Sequence, residues 1–145
     1  MIHDSHNQSK FKNLPTITTV DGRQFSVDQA GLVTGRREPR EAPQADQIRA
    51  AVQFFELAIE ADAIQKTFTI NSYRAKHCIE KLVARYCCNG AAIVGAHLAG
   101  VPIEKSQWDL LNCFFPIQRR WYRSFVDDVQ GNGFRLFDER AGGER

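Results

Sequence analysis

Between Asn89 and Pro102 the chain reads Asn-Gly-Ala-Ala-Ile-Val-Gly-Ala-His-Leu-Ala-Gly-Val-Pro, without one Asp, Glu, Lys or Arg. A helix with no charged face has to be enclosed by the rest of the protein. The grammar is helical: Asn89-Gly90 interrupts what precedes, residues 91–99 are apolar apart from His97, and Gly100 with Pro102 just beyond is a stop. Ala92, Gly95, Ala96 and Ala99 let a neighbouring backbone approach closely. The segment is therefore predicted to be the central, most buried helix. It is not a membrane span, because the apolar run from Cys87 to Ile103 is broken by Asn89, Gly90, His97, Gly100 and Pro102 and falls short of the roughly 20 residues a bilayer needs.

Two amphipathic helices are placed to enclose it. Between Gln44 and Gln65, Ile48, Ala51, Val52, Phe55, Ala58 and Ile59 recur at helical spacing, with Arg49, Gln53, Glu56 and Glu60 opposite, and Phe54 and Leu57 widen the apolar side. A second helix is predicted from Asn71 or Ser72, either able to cap it, through Cys88. Ala75, Cys78, Ile79, Leu82, Val83 and Tyr86 form its buried stripe; Lys76, His77, Glu80, Lys81 and Arg85 face away. A fourth helix is expected from Pro116 to about Val129, with Ile117, Trp121, Phe125 and Val129 as its core edge.

Around Asp21-Gly22, residues 17–20 and 23–27 alternate β-formers, the pattern of a hairpin on a two-residue turn, and Leu32-Val33-Thr34 reads as a third short strand. Residues 35–43, with two prolines and mixed charge, form a surface linker. Phe134 to Phe137 alternates again and is predicted to pair with the hairpin. The fold class is thus α+β, an N-terminal β-hairpin joined by a C-terminal strand and packed on a bundle of about four helices. Residues 1–15 form a flexible lead-in and 16–140 a single domain, with the hairpin region at 16–34 and the helical core at 44–129. Residues 141–145 are a loose tail.

At 145 residues and 43% hydrophobic, such a domain buries roughly two-thirds of its unfolded surface and needs no staples. Nineteen basic and 17 acidic side chains give a net charge of +2, evenly spread. That is unlike the concentrated positive field of a non-specific nucleic-acid binder. Cys78, Cys87, Cys88 and Cys113 form neither a CxxC pair nor a disulfide framework, so free thiols in a reducing compartment are expected. The N-terminus lacks the pattern of a signal peptide, and the expected location is cytoplasmic.

Two clusters attract attention. Tyr73, Lys76, His77 and Glu80, followed by Asn89, make a candidate polar site. His77 and Glu80 share a helix face and suit an acid/base or ligand pair, although HExxH spacing is missing. The simpler reading is a solvated face with Lys76 and Glu80 as an ordinary ion pair. Arg119, Arg120, Trp121, Tyr122 and Arg123 form a basic, aromatic run suited to phosphate contact, base stacking or a protein hot spot. The simpler reading there is a Trp in the core with arginines in water. His97 is expected to be a neutral, hydrogen-bonded core histidine. Cys87 and Cys88 lack a cationic neighbour motif and are read as buried, not activated.

A helix-turn-helix over 91–111 fails on Pro102 and on residues 104–109, which lack the apolar positions a recognition helix needs. No P-loop, dinucleotide fingerprint, GxSxG or paired Asp/Glu motif is present, and no cofactor or metal is expected.

The run from Asn71 to Glu80, then Tyr86, Asn89-Gly90-Ala91-Ala92-Ile93 and Asn112-Cys113-Phe114-Phe115, resembles a pattern of small uncharacterised proteins of bacteria, their phages and mobile elements: S-Y-x-x-K-H-x-x-E, Y-x-x-N-G-A-x-I and N-x-F-F. It covers roughly residues 46–125 and picks out Lys76, His77, Glu80 and Asn89. The resemblance implies a genomic setting and no mechanism. The expectation is a non-catalytic interaction protein that, through a surface including Arg119, Arg120, Trp121, Tyr122 and Arg123, binds and inhibits or redirects a host protein or ribonucleoprotein complex, as anti-CRISPR inhibitors do. A nucleic-acid-binding regulator using Arg119–Arg123, and a small enzyme or ligand binder at His77, Glu80 and Asn89, are the alternatives.

Overall fold

The computed structural model describes residues 13–123. Most of the lead-in, the predicted strand at 134–137, the tail, and Phe125 and Val129 of the fourth helix lie outside the described residues. Within them the architecture is α+β. Strands β1 (Thr16–Thr18), β2 (Gln24–Asp28) and β3 (Gly31–Leu32) form one antiparallel sheet in the order β1-β2-β3. Helix α1 (Ala45–Glu60) follows, then β4 (Ile70–Asn71), helix α2 (Ser72–Val83), helix α3 (Asn89–Ala99), β5 (Glu104–Lys105) and β6 (Cys113–Phe115). The last three strands make a second sheet in the order β4-β6-β5. No helix among the described residues is long and apolar enough to cross a membrane.

The hairpin forms where expected, with a different turn. Ile17 pairs with Phe25, and three residues, Val20, Asp21 and Gly22, span the gap. Gly22 donates to the Thr19 carbonyl at 2.9 Å and takes φ +87°. A three-residue loop with glycine in the left-handed region matches the twist of the strands as well as the two-residue turn expected from Asp-Gly. The third strand sits slightly earlier than expected, where the Asp28 side chain closes the turn into Gly31.

Helix α3 is the centre of the molecule. It packs on α1, on α2 and on all three strands of the first sheet, and Asn89 to Ala96 are buried without a break. Asn89 and Gly90 open this helix; Cys88, whose sulfur accepts from the Ala91 N–H at 3.4 Å, is its cap. At the other end Gly100 donates to His97 and Val101 donates to Ala96, the paired bonds by which a left-handed glycine closes a helix. Gly95 allows the close approach to α1: a β-carbon there would lie 2.3 Å from the Ala51 β-carbon. Phe54 and Phe55 of α1 meet edge-on, with centroids 5.1 Å apart, and Phe55 does the same with Phe115 of β6 at 5.0 Å. One hydrophobic core thus joins both sheets to the helices.

Several expected positions are corrected. Ile59 and Leu57 are exposed, because α1 ends at Glu60 and packs on one side only. Helix α2 stops at Val83 instead of Cys88; Ala84 takes the left-handed conformation at φ +58°, the chain doubles back, and Tyr86 leaves the buried stripe for the surface. Pro116 does not open the fourth helix. Ile117 instead bridges to Ile64, and helical residues begin at 119, capped through the Gln118 carbonyl. His97 lies in the last turn of α3 and is half-buried, not a core histidine. The linker is less superficial than expected, since Pro43 is buried and Arg37 reaches inward.

Candidate functional site

The doubling-back after Val83 builds a compact cluster on α2. Lys76 was expected to face water, yet it is only 8% exposed. Its Nζ lies 2.9 Å from Glu80 Oε2, 4.9 Å from the Tyr86 ring centre and 5.6 Å from that of Tyr73. A carboxylate and two aromatic faces replace the water that a lysine ammonium normally keeps. The rings stay outward, Tyr73 53% and Tyr86 66% exposed.

Glu80 is the hub. Its Oε1 meets His77 Nδ1 at 2.9 Å, and its Oε2 also accepts the Cys87 N–H at 3.2 Å. Partial burial pushes its pKa up, but the hydrogen bonds from Lys76, Cys87 and His77 outweigh that, and the carboxyl is held below its ordinary value. The His77 ring packs edge-on against Tyr73 at 4.5 Å. An ionised Glu80 placed this way bonds Lys76 and His77 and holds the turn after α2 that carries Tyr86.

Asn89 does not join this cluster. Its Nδ2 donates to the carbonyls of Ala30 at 2.9 Å and Leu111 at 3.4 Å, so it ties α3 to the first sheet and to the loop before β6. The sequence pattern grouped it with His77 and Glu80; no hydrogen bond links it to either. A cleft of about 340 Å³ beside the cluster is lined by Asp46, Gln47, Arg49, Gln53, Arg85 and Tyr86, and contains neither His77 nor Glu80.

The second cluster divides. Arg119, Arg120 and Arg123 are exposed. Tyr122 is buried, and Trp121 is half-buried against Phe54, ring centres 5.4 Å apart. The aromatic half of that run belongs to the core and the cationic half to the surface.

The thiols are remote from reactivity. All four cysteines are free and buried. Burial pushes Cys78, Cys87 and Cys113 each up to about 12 and raises Cys88 as well. Among the described residues, no group of three or more His, Cys, Asp or Glu side chains is placed to hold a metal ion.

Two features escaped the sequence reading. Asp28, fully buried, is the anchor of the linker. Trp108 stands 92% exposed on the loop before β6; its only advance signal was a tryptophan among polar residues at 104–109. Comparison with known proteins leaves the chain on its own terms: no protein-family model, no curated protein and no solved structure matches it.

Proposed function

We propose that this chain acts by contact, binding a host protein or ribonucleoprotein complex and inhibiting or redirecting it, in the manner of the anti-defence proteins of phages and mobile elements, anti-CRISPR inhibitors among them. One observation carries this reading. Two exposed tyrosine rings, Tyr73 and Tyr86, flank a nearly buried Lys76, their centres 5.6 and 4.9 Å from its ammonium. Tyrosine is over-represented among the residues that dominate binding energy, and rings ordered beforehand lose little entropy on docking. The resemblance to small proteins of mobile elements supplies the setting.

Affinity purification of the tagged chain from cells that carry its gene, with and without nuclease, tests the reading. A stoichiometric protein partner that survives nuclease and is lost with Tyr73→Ala, at unchanged thermal stability, is the expected result. No partner under either condition overturns it.

A second reading, a nucleic-acid-binding regulator, draws on the three exposed guanidinium groups of Arg119, Arg120 and Arg123. It requires a log–log salt slope of roughly one unit per phosphate contacted. Binding that does not change with salt removes it.

A further inference from the structure

The loop between β5 and β6 holds the most exposed large hydrophobic side chain among the described residues, Trp108 at 92%, with Leu110 beside it at 62%. The loop is built and not slack. Ser106 Oγ accepts the N–H groups of Trp108 at 3.2 Å and Asp109 at 3.1 Å, one tight turn. Asp109 Oδ1 accepts those of Leu111 at 2.9 Å and Asn112 at 3.1 Å, a second turn, and its Oδ2 accepts the Asn112 side-chain amide. The Leu110 and Leu111 carbonyls accept from Thr34 Oγ1 at 3.2 Å and Leu32 N–H at 3.1 Å, which ties the loop to the first sheet. The Ser72 hydroxyl bonds Asn112 and accepts the Cys113 N–H, so the base of the loop abuts the first turn of α2, next to Tyr73.

An indole buries 150–250 Å² when it finds a pocket, and tryptophan is the residue most often found at the energetic centre of protein interfaces. A backbone ordered before binding removes much of the entropy loss that docking otherwise entails. Charge selects the kind of partner. Between residues 104 and 112 the charged side chains are Glu104, Lys105 and Asp109, and the Lys105 ammonium is bonded to the Ser106 carbonyl at 3.0 Å. The hydrogen bonds into Asp109 keep its carboxylate ionised despite partial burial. Two carboxylates against one ammonium leave the segment with a net negative charge, which offers no electrostatic attraction to phosphate, whether of nucleic acid or of an anionic bilayer.

We propose that loop 106–112 is a docking anchor for a protein partner, with the Trp108 indole and Leu110 filling an apolar pocket of that partner and a cationic rim of the partner facing Glu104 and Asp109. This deepens the contact reading given above and rests on it.

The test uses the full chain with Trp121→Phe, which leaves Trp108 as the single indole. In the free protein its emission should be that of a water-exposed indole, fully open to acrylamide, and should stay so at rising protein concentration. It should also stay so with phosphatidylcholine–phosphatidylglycerol vesicles and with a single-stranded DNA oligomer. The nuclease-resistant partner, once purified, should shift the emission to the blue. Trp108→Ala should weaken that binding by roughly thirtyfold or more at unchanged thermal stability, with Trp108→Phe recovering part of the loss.

Shielding of Trp108 in the free chain, at high concentration, or by vesicles or DNA overturns the proposal in favour of the chain itself, a second copy, a membrane or nucleic acid as occupant. A purified partner bound equally well by Trp108→Ala overturns it while the contact reading stands. Failure to capture any protein partner overturns both.

Discussion

Arg37 closes on Asp28 with two parallel contacts, Nη1 to Oδ2 at 2.8 Å and Nη2 to Oδ1 at 2.9 Å, and the carboxylate is wholly buried beneath it. Asp28 Oδ1 also accepts the N–H of Ala30 at 2.9 Å, and Oδ2 accepts that of Arg40 at 2.6 Å. Burial by itself would raise this carboxyl; the Arg37 guanidinium and the backbone donors hold it below its ordinary value. The pair fastens the linker onto the end of β2, and α1 then starts from a defined point.

Removing Arg37 leaves the buried Asp28 carboxylate with backbone donors and no counter-charge, and removing Asp28 strips the partly buried Arg37 of the carboxylate that holds it inward. Asp28→Ala and Arg37→Leu should each destabilise the fold by about 3–5 kcal/mol, read from urea unfolding. Arg37→Lys should recover only part, since an ammonium cannot meet both carboxylate oxygens in the fork geometry. An Arg37→Leu protein as stable as the parent would refute this account of the linker.

The two glycines inside α3 are required by what they touch. A β-carbon on Gly90 would lie 1.7 Å from the Asp28 carbonyl oxygen and 2.8 Å from its carbon, with Pro43 Cγ at 3.2 Å, so Gly90→Ala should fail to give a soluble folded protein. At Gly95 the nearest obstacle is the Ala51 β-carbon. Gly95→Ala should therefore unfold at markedly lower temperature, and adding Ala51→Gly should restore only part of the loss: the two helix-propensity changes, about 1 kcal/mol each, oppose one another, while the Ala51 carbonyl carbon and the Val52 nitrogen would still lie 3.0 Å from the new β-carbon. The soluble yield of Gly90→Ala and thermal melts of the two Gly95 variants decide it.

Glu80 sets a pH dependence with a definite sign. Its folded pKa lies below the ordinary value of 4.5, so its stabilisation is complete above about pH 4.5 and is lost as pH falls through the lower, folded value. Glu80→Gln should lower stability at pH 7 by about 2 kcal/mol, the scale of hydrogen bonds to a charged group. It should also flatten the stability curve below pH 4.5. Denaturant midpoints measured from pH 7 to pH 3 test both statements.

Thiols pushed up to about 12 are almost entirely protonated at neutral pH. Iodoacetamide at pH 7.5 should modify the native protein at Cys78, Cys87 and Cys113 only on the timescale of unfolding, while all four cysteines react at once in guanidinium. Fast native labelling at any of the three, read by mass spectrometry, would contradict their placement.

Local pattern carried the elements whose signal is itself local. Ala51, Phe55 and Ala58 recur on one helix face, Gly100 and Pro102 stop a helix by backbone geometry, and Asp21-Gly22 bends a chain whatever surrounds it; each lies close to where the pattern put it. The second sheet was not legible in this way. Its strands are two or three residues long, too short to carry a pattern of their own, and β4 meets β6 only across about 45 positions of sequence, as Ile70 does with Phe115.

The candidate site divides along the same line. The helical spacing of Lys76, His77 and Glu80 put them on neighbouring turns, and that proximity depends on sequence alone. Whether Lys76 faces water or two tyrosine rings depends on where α2 ends. The left-handed turn at Ala84 ends it, and with it come Cys87 bonded to Glu80 and Cys88 bonded to Gln47.

What the sequence by itself determined is the set of helices, the hairpin and the enclosed position of residues 91–96, because helical period, capping and the absence of charge act over a few neighbouring residues. Only the tertiary structure decided that Asp28 is buried beneath Arg37, that Tyr122 belongs to the core while Tyr86 does not, and that Trp108 is left in water. Those outcomes depend on which distant groups meet, and a buried charge or an exposed indole is defined by its neighbours in space.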